Sequence, residues 1–283
     1  MNGRAGDATG ARGGGPISLQ LLNSFELRYG NGDVPIGQGG RRLTAFLALH
    51  ARPVPRDRVS ATLWRDASAE RGSANLRTAL WRLPVPGGRP LVTVTGTHLA
   101  LDPAVLVDLH QGTAWAGEVL GRDGVPCASL REAGARILLR GDLLTGWDED
   151  WLPAERERFR QLRMHALERL CERLTTEGRY GQALEAGLAA VDVEPLRESA
   201  HRAVLRVHLR EGNAVEALRT YRAYERLLAA ELDLRPSVAM WRLIEPILAA
   251  RAGSRRGSPL DRVEPFDVQG PRLPDPRLEQ ART

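Results

Sequence analysis

The chain has 283 residues, enough for two domains that each bury a core. Its 40 basic residues are all arginine and leave a formal net charge of +5, so arginine abundance by itself names no partner. No apolar run is long enough to span a bilayer. The opening MNGRAGDATGARGGG lacks the apolar segment of a secretory signal. The two cysteines, Cys127 and Cys171, lie far apart with no CxxC partner, which argues against a disulfide framework or a zinc site. These features predict a cytoplasmic protein with no membrane contact.

The distribution of charge says more than its total. Residues 17–101 hold 11 arginines against 5 acids, net +6, and residues 102–250 hold 20 against 24, net −4. A basic region joined to an acidic one predicts different partners for the two.

In chain order, residues 1–16 are Gly-rich and predict a disordered tail. Alternating Ile17, Leu19, Leu21, Phe25 and Leu27 predict two or three short antiparallel strands, and Asn31-Gly32 predicts a turn built on positive φ. The spacing of Leu43, Phe46, Leu47 and Leu49 predicts a helix that opens near Arg41 and is broken by Pro53 and Pro55. A second helix is predicted from Arg56 to Trp64, with Val59 and Leu63 inward, and a third from Ala69 to Leu83. LVTVTGTHLALD then alternates around Gly96, a β-hairpin.

From about Asp108 to Ala250 the pattern is almost wholly helical. Glu177-Gly178 and Ala183-Leu184 recur as Glu211-Gly212 and Ala217-Leu218, an offset of 34 residues. That is the period of tetratricopeptide-like (TPR-like) helical hairpins. Gly permits the tight turn, and Ala lets paired helices approach closely. Residues 251–283 mix Pro, Gly, Ser and both signs of charge without period, and predict a second disordered tail. The fold class is therefore mainly α with small β elements: a winged helix over 17–107, then a TPR-like repeat domain over 108–250.

The third helix carries the candidate site. At 100° per residue, Gly72, Leu76, Ala79, Leu80 and Leu83 fall inward, and Arg71, Ala74, Asn75, Arg77, Thr78, Trp81 and Arg82 outward. Arg and Asn suit bidentate contacts to guanine and adenine edges, and Thr can donate, accept or meet a thymine methyl. The alternative is a solvated face with Trp81 folded against the hairpin. Three helices followed by a hairpin form a winged helix, whose third helix enters the major groove. The small polar hairpin tip, Thr95, Gly96, Thr97 and His98, suits phosphate contact. Arg41 could meet phosphate at most.

Enzymatic signals are weak. Gly37-x-Gly39 has Arg42 where a dinucleotide motif needs its third glycine, and no βαβ unit follows. There is no Walker A or GxSxG, and the histidines at 50, 98, 110, 165, 201 and 208 have no metal spacing. His201 and His208 read as packing or surface residues. Asp148-Glu149-Asp150 reads as a solvated loop, and Glu155, Arg156, Glu157, Arg158 and Arg160 as helix-surface ion pairs of small worth. No catalytic residue, metal or cofactor is predicted.

Three stretches carry a family resemblance: ISLQLLNSFELRYGNGDVPIG, RRLTAFLALHARPVPRDRVSATLW and SANLRTALWRL. Together they resemble the OmpR-type winged-helix DNA-binding domain of the Streptomyces antibiotic regulatory protein family. The later motifs GDLL, W-x-x-x-E-R-E-R, GRY-x-x-AL and EL-x-L-x-P-S, in that order, resemble the same family's bacterial transcriptional activation domain. The resemblance covers about 17–250. With no NTPase or receiver pattern, it implies a short member of the family. It implies a DNA-binding activator of a secondary-metabolite cluster that binds direct-repeat promoter sites near a −35 element. It also implies contact with RNA polymerase holoenzyme, including its sigma factor. The helical-repeat domain is expected to support a homodimer or to hold neighbouring protomers in register. One departure is that Pro84 and Pro86 end the third helix about a turn earlier than is usual in the family. That departure motivates an alternative, a TPR-like interaction module whose winged helix no longer binds DNA. A ligand-sensing role for the helical domain is a third reading.

Overall fold

The computed structural model describes residues 15–121, 137–139 and 141–256. Strands β1 (Ile17–Gln20), β2 (Glu26–Tyr29) and β3 (Gly32–Asp33) form an antiparallel meander. The turn between β2 and β3 takes its positive φ at Gly30 (58°) rather than at Asn31 or Gly32 as the sequence suggested. Pro16, assigned by the sequence to the tail, is tied beside this sheet: its carbonyl accepts from Gly30 N at 3.0 Å. Helices α1 (Gln38–Ala48), α2 (Arg56–Leu63) and α3 (Ala69–Trp81) follow. Between α1 and α2, Val54–Pro55 (β4) pairs with the hairpin β5 (Val92–Thr95) and β6 (His98–Leu101) in the order β4-β6-β5. The wing thus has three strands, not two.

A further strand, β7 (Val105–Val107), runs parallel to β1 and completes the first sheet in the order β3-β2-β1-β7. Helix α3 ends at Trp81, two residues before the predicted Leu83. Leu83 precedes Pro84, and a residue before proline is disfavoured in the helical region. Leu83 still packs on the core from outside the helix.

The second region contains α4 (Asp108–Gly121), α5 (Leu152–Thr176), α6 (Tyr180–Val193), α7 (Glu198–Glu211), α8 (Ala214–Leu232) and α9 (Val238–Arg256). Helices α6 and α8 begin 34 residues apart, at Tyr180 and Ala214, in register with the sequence repeat. Ala183, Ala186, Gly187 and Ala190 are the buried face of α6. A Cβ on Gly187 would lie 2.8 Å from Val204 and 3.0 Å from Cys171 Sγ, so only glycine fits where α6 crosses its neighbours. His201 is a packing residue: it stacks on Tyr224 at 4.2 Å, donates from Nε2 to the Pro195 carbonyl at 2.8 Å, and burial holds its pKa below the ordinary value. Helix α9 continues through 251–256, which the sequence assigned to the C-terminal tail. The remainder of that tail, residues 1–14 of the N-terminal one and Cys127 lie outside the described residues.

Gly178 and Gly212 close the first helices of the two hairpins, with φ of 75° and 87°. Their virtual Cβ atoms meet nothing within 4 Å, so any side chain there acts through backbone strain and not through a clash. Replacing either by valine is expected to destabilise the protein by about 1–2 kcal/mol. Thermal melts would check this, and unchanged midpoints for both variants would contradict the turn assignment.

The two regions share one hydrophobic core, which runs from Ile17 on β1 to Val207 on α7. At the seam the buried Asp108 carboxylate accepts from Leu21 N at 2.8 Å, Leu22 N at 3.2 Å and its own neighbour Leu109 N at 2.8 Å. Asn23 N donates to Asp142 O (2.7 Å) and Leu144 N to Leu21 O (2.8 Å). Arg163, also buried, donates to Leu138 O (2.6 Å) and pairs with Asp142 (2.9 Å). Among the described residues Arg156 forms no surface ion pair of the kind the sequence suggested. It donates to the carbonyls of Leu143, Leu144 and Trp147 and fixes the loop that leads into α5. Arg158–Glu155 and Arg160–Glu157 are the surface pairs expected.

Candidate nucleic-acid interface

Helix α3 starts where Ser68 Oγ accepts from Arg71 N and where Glu70 meets the positive end of the helix dipole. Gly72, Leu76 and Ala79 are buried against α1 and α2, as their spacing requires. Gly72 faces Ser60 of α2, where an added Cβ would lie in ordinary contact, 3.6 Å from the Ser60 carbonyl oxygen. The opposite face is open: Arg71, Asn75, Arg77, Thr78, Trp81 and Arg82 are all exposed, while Ala74, placed outward by the helical wheel, is half-buried. Thr78 Oγ1 donates to Ala74 O at 3.0 Å, which spends its proton on the helix and leaves its methyl and lone pairs outward. Trp81 is 84% exposed, so it does not fold against the hairpin.

The wing brings Thr95, Thr97 and His98 together at its exposed tip, around Gly96 with φ 58°. Thr97 Oγ1 lies 3.4 Å from His98 Nδ1. The Thr97 carbonyl accepts from Arg56 N at 2.8 Å, so the tip is anchored to the start of α2. The nine predicted residues therefore form two groups, five on one face of α3 with its C-cap Arg82, and three on one hairpin. Between them a 3-10 turn, Pro86–Gly88, packs Gly87 (φ 61°) on the Tyr29 ring.

The acids sort the arginines. Arg28 pairs with Glu26 and Asp33, and Arg65 with Asp150. Arg42 pairs with Glu149 at 2.8 Å, and Glu149 also accepts from Trp151 Nε1. The run 148–150 is thus no purely solvated loop: its last two residues clamp α1 and the α2–α3 connection to the second region. Arg41 lies over the Phe25 ring at 4.9 Å and donates from Nη2 to the Phe25 carbonyl at 3.3 Å. Among the described residues of the first region, Arg41, Arg52, Arg56, Arg58, Arg71, Arg77, Arg82 and Arg89 have no ion-pair partner. Arg71 and Arg77 lie on α3, and Arg82 is its C-cap. A cleft of about 610 Å³ separates Arg71, Ala74 and Asn75 from Asp148, Glu149 and Asp150. No local pattern announces this juxtaposition, because its partners are 85 to 107 residues apart.

Residues 107–248 match the family model of the bacterial transcriptional activator domain. The chain belongs to the Streptomyces antibiotic regulatory protein family. Within this family of transcription regulators, it is 28% identical over 227 residues to the regulatory protein AfsR of Streptomyces coelicolor, an alignment covering 74% of this chain and 22% of AfsR. It is 26% identical over 235 residues to AfsR of Streptomyces griseus, covering 79% and 23%. The chain thus spans less than a quarter of the length of these relatives. The fold is similar to that of Mycobacterium tuberculosis EmbR, solved in complex with a low affinity phosphopeptide. The TM-score is 0.64 at 19% identity, over 83% of this chain and 65% of that one. No described helix is long and apolar enough to cross a membrane.

Proposed function

We propose that this regulator binds double-stranded DNA in a sequence-specific manner through α3 and the wing and activates transcription from the bound promoter. Its site is a direct repeat, and its target genes form a secondary-metabolite cluster. The observation that carries the reading is the exposed face of α3 and its C-cap, where Arg71, Arg77 and Arg82 have no ion-pair partner among the described residues and Asn75 and Thr78 are interleaved. Such a face offers bidentate donors to base edges, while Thr95, Thr97 and His98 meet phosphate or sugar. The acidic second region, net −4 over residues 102–250, suits a basic surface of RNA polymerase holoenzyme and its sigma factor.

The test is binding to a selected duplex at rising salt, followed by transcription from that duplex with purified holoenzyme. Displacement of counterions by about five arginines gives a slope of log affinity on log salt near −4.5, a loss of several hundredfold between 50 and 200 mM. Transcription is expected to rise when the full chain is added. A flat salt response, or no duplex retained at low salt, would favour the interaction-module reading, to which the early end of α3 at Trp81 lends support. Binding without stimulation would replace the activator reading by that of a repressor or an architectural module.

A further inference from the structure

Trp81 is the last residue of α3 and the most exposed large apolar side chain among the described residues, at 84%. A tryptophan carries 150–250 Å² of mostly apolar surface and normally buries it. The surroundings of Trp81 decide what can cover it. Arg77 is one turn back on the same face, Thr78 lies three residues before, and Arg82 follows; all are exposed. The single acid on α3, Glu70, is at the far end, about 16 Å away along the axis. A second copy of this surface would bring arginine against arginine. A polyanion suits the arginines, and the indole then needs an apolar group within it.

The major-groove edges of a duplex offer one such group, the C5 methyl of thymine. We infer that Trp81 reads thymine in the bound site by packing its indole on that methyl, while its neighbours bond to base edges and phosphate. This rests on the DNA-binding reading of the same face and adds to it a specific chemical preference. It also gives a role to the early end of the helix. Because α3 stops at Trp81, no further turn covers the indole.

A chemical double-mutant cycle tests it. A duplex is selected from a random pool, and each thymine is replaced singly by deoxyuridine, which keeps pairing and O4 but lacks the methyl. Affinities are measured for the wild-type full chain, Trp81→Ala and Trp81→Phe. The wild type is expected to lose about fourfold at one or two thymines, the worth of one buried methyl. Trp81→Ala should bind more weakly overall and be indifferent to uracil at those positions, and Trp81→Phe should retain part of the penalty. The side chain touches little of the protein, so matching thermal melts are expected. A selected site without thymine, wild-type tolerance of uracil at every position, or a penalty that persists in Trp81→Ala would each overturn the inference and leave DNA binding intact. Failure of the wild type to retain any duplex at low salt would overturn both.

Discussion

Asp108→Ala is expected to destabilise the whole protein by about 3–5 kcal/mol and to lower its melting midpoint by about 10 °C. The carboxylate is buried and accepts from three backbone N–H groups, two at the end of β1 and one at the start of α4. Alanine leaves those donors in an apolar surround with no acceptor, and a hydrogen bond to a charged group is worth about 1.5–3 kcal/mol. It also takes a negative charge from the first turn of a helix. Asp108→Asn keeps an acceptor oxygen and should fall between the two. An unchanged midpoint for Asp108→Ala would mean that Leu21 and Leu22 find other partners. A practical corollary concerns dissection: a fragment ending at residue 107 lacks this carboxylate, so activation is better tested with the full chain.

Arg77→Ala should cost about 1–3 kcal/mol on a specific duplex and relax the preference at particular bases. Arg77 is exposed in the middle of the α3 face and has no ion-pair partner among the described residues, so its guanidinium is available to a base edge. Arg58, exposed on α2, is the control, since a phosphate contact carries no sequence information. Arg58→Ala should weaken all sequences evenly and make the salt slope shallower by about 0.9. Titrations on specific and random duplexes separate the two outcomes. Equal losses on both for Arg77→Ala would count against α3 as the reading helix.

The amphipathic wheel of the third helix was legible because burial has a local period. Gly72, Leu76 and Ala79 had to face the core, which left the arginines outside. The repeat was legible for a similar reason, since a glycine that ends a helix marks a turn without knowledge of its neighbours. Strand β7 was not legible. Val105–Val107 is three residues long, and its parallel partner β1 is remote in sequence, so no hairpin signal announces it. The Asp148–Asp150 run looked solvated because its partners, Arg42 and Arg65, reach it only through the tertiary fold. Arg156 departs from the surface-pair expectation for a related reason: its acceptors are loop carbonyls, which every residue possesses and no sequence pattern distinguishes.

The seam also orders events at the ribosome. Strand β1 is an early element of the described fold. Its parallel edge waits for β7, the N–H groups just beyond it wait for Asp108, and Leu21 and Asn23 wait for residues 142–145. Contacts of such long sequence separation close late, because loop closure precedes the reward. At about 5–20 residues per second, the first sheet spends several seconds with an unpaired edge before its partners emerge. The region that faces DNA in the proposed function therefore matures only after the start of the activator domain has been made. A nascent chain stalled before that point would expose a strand edge rather than a finished reader.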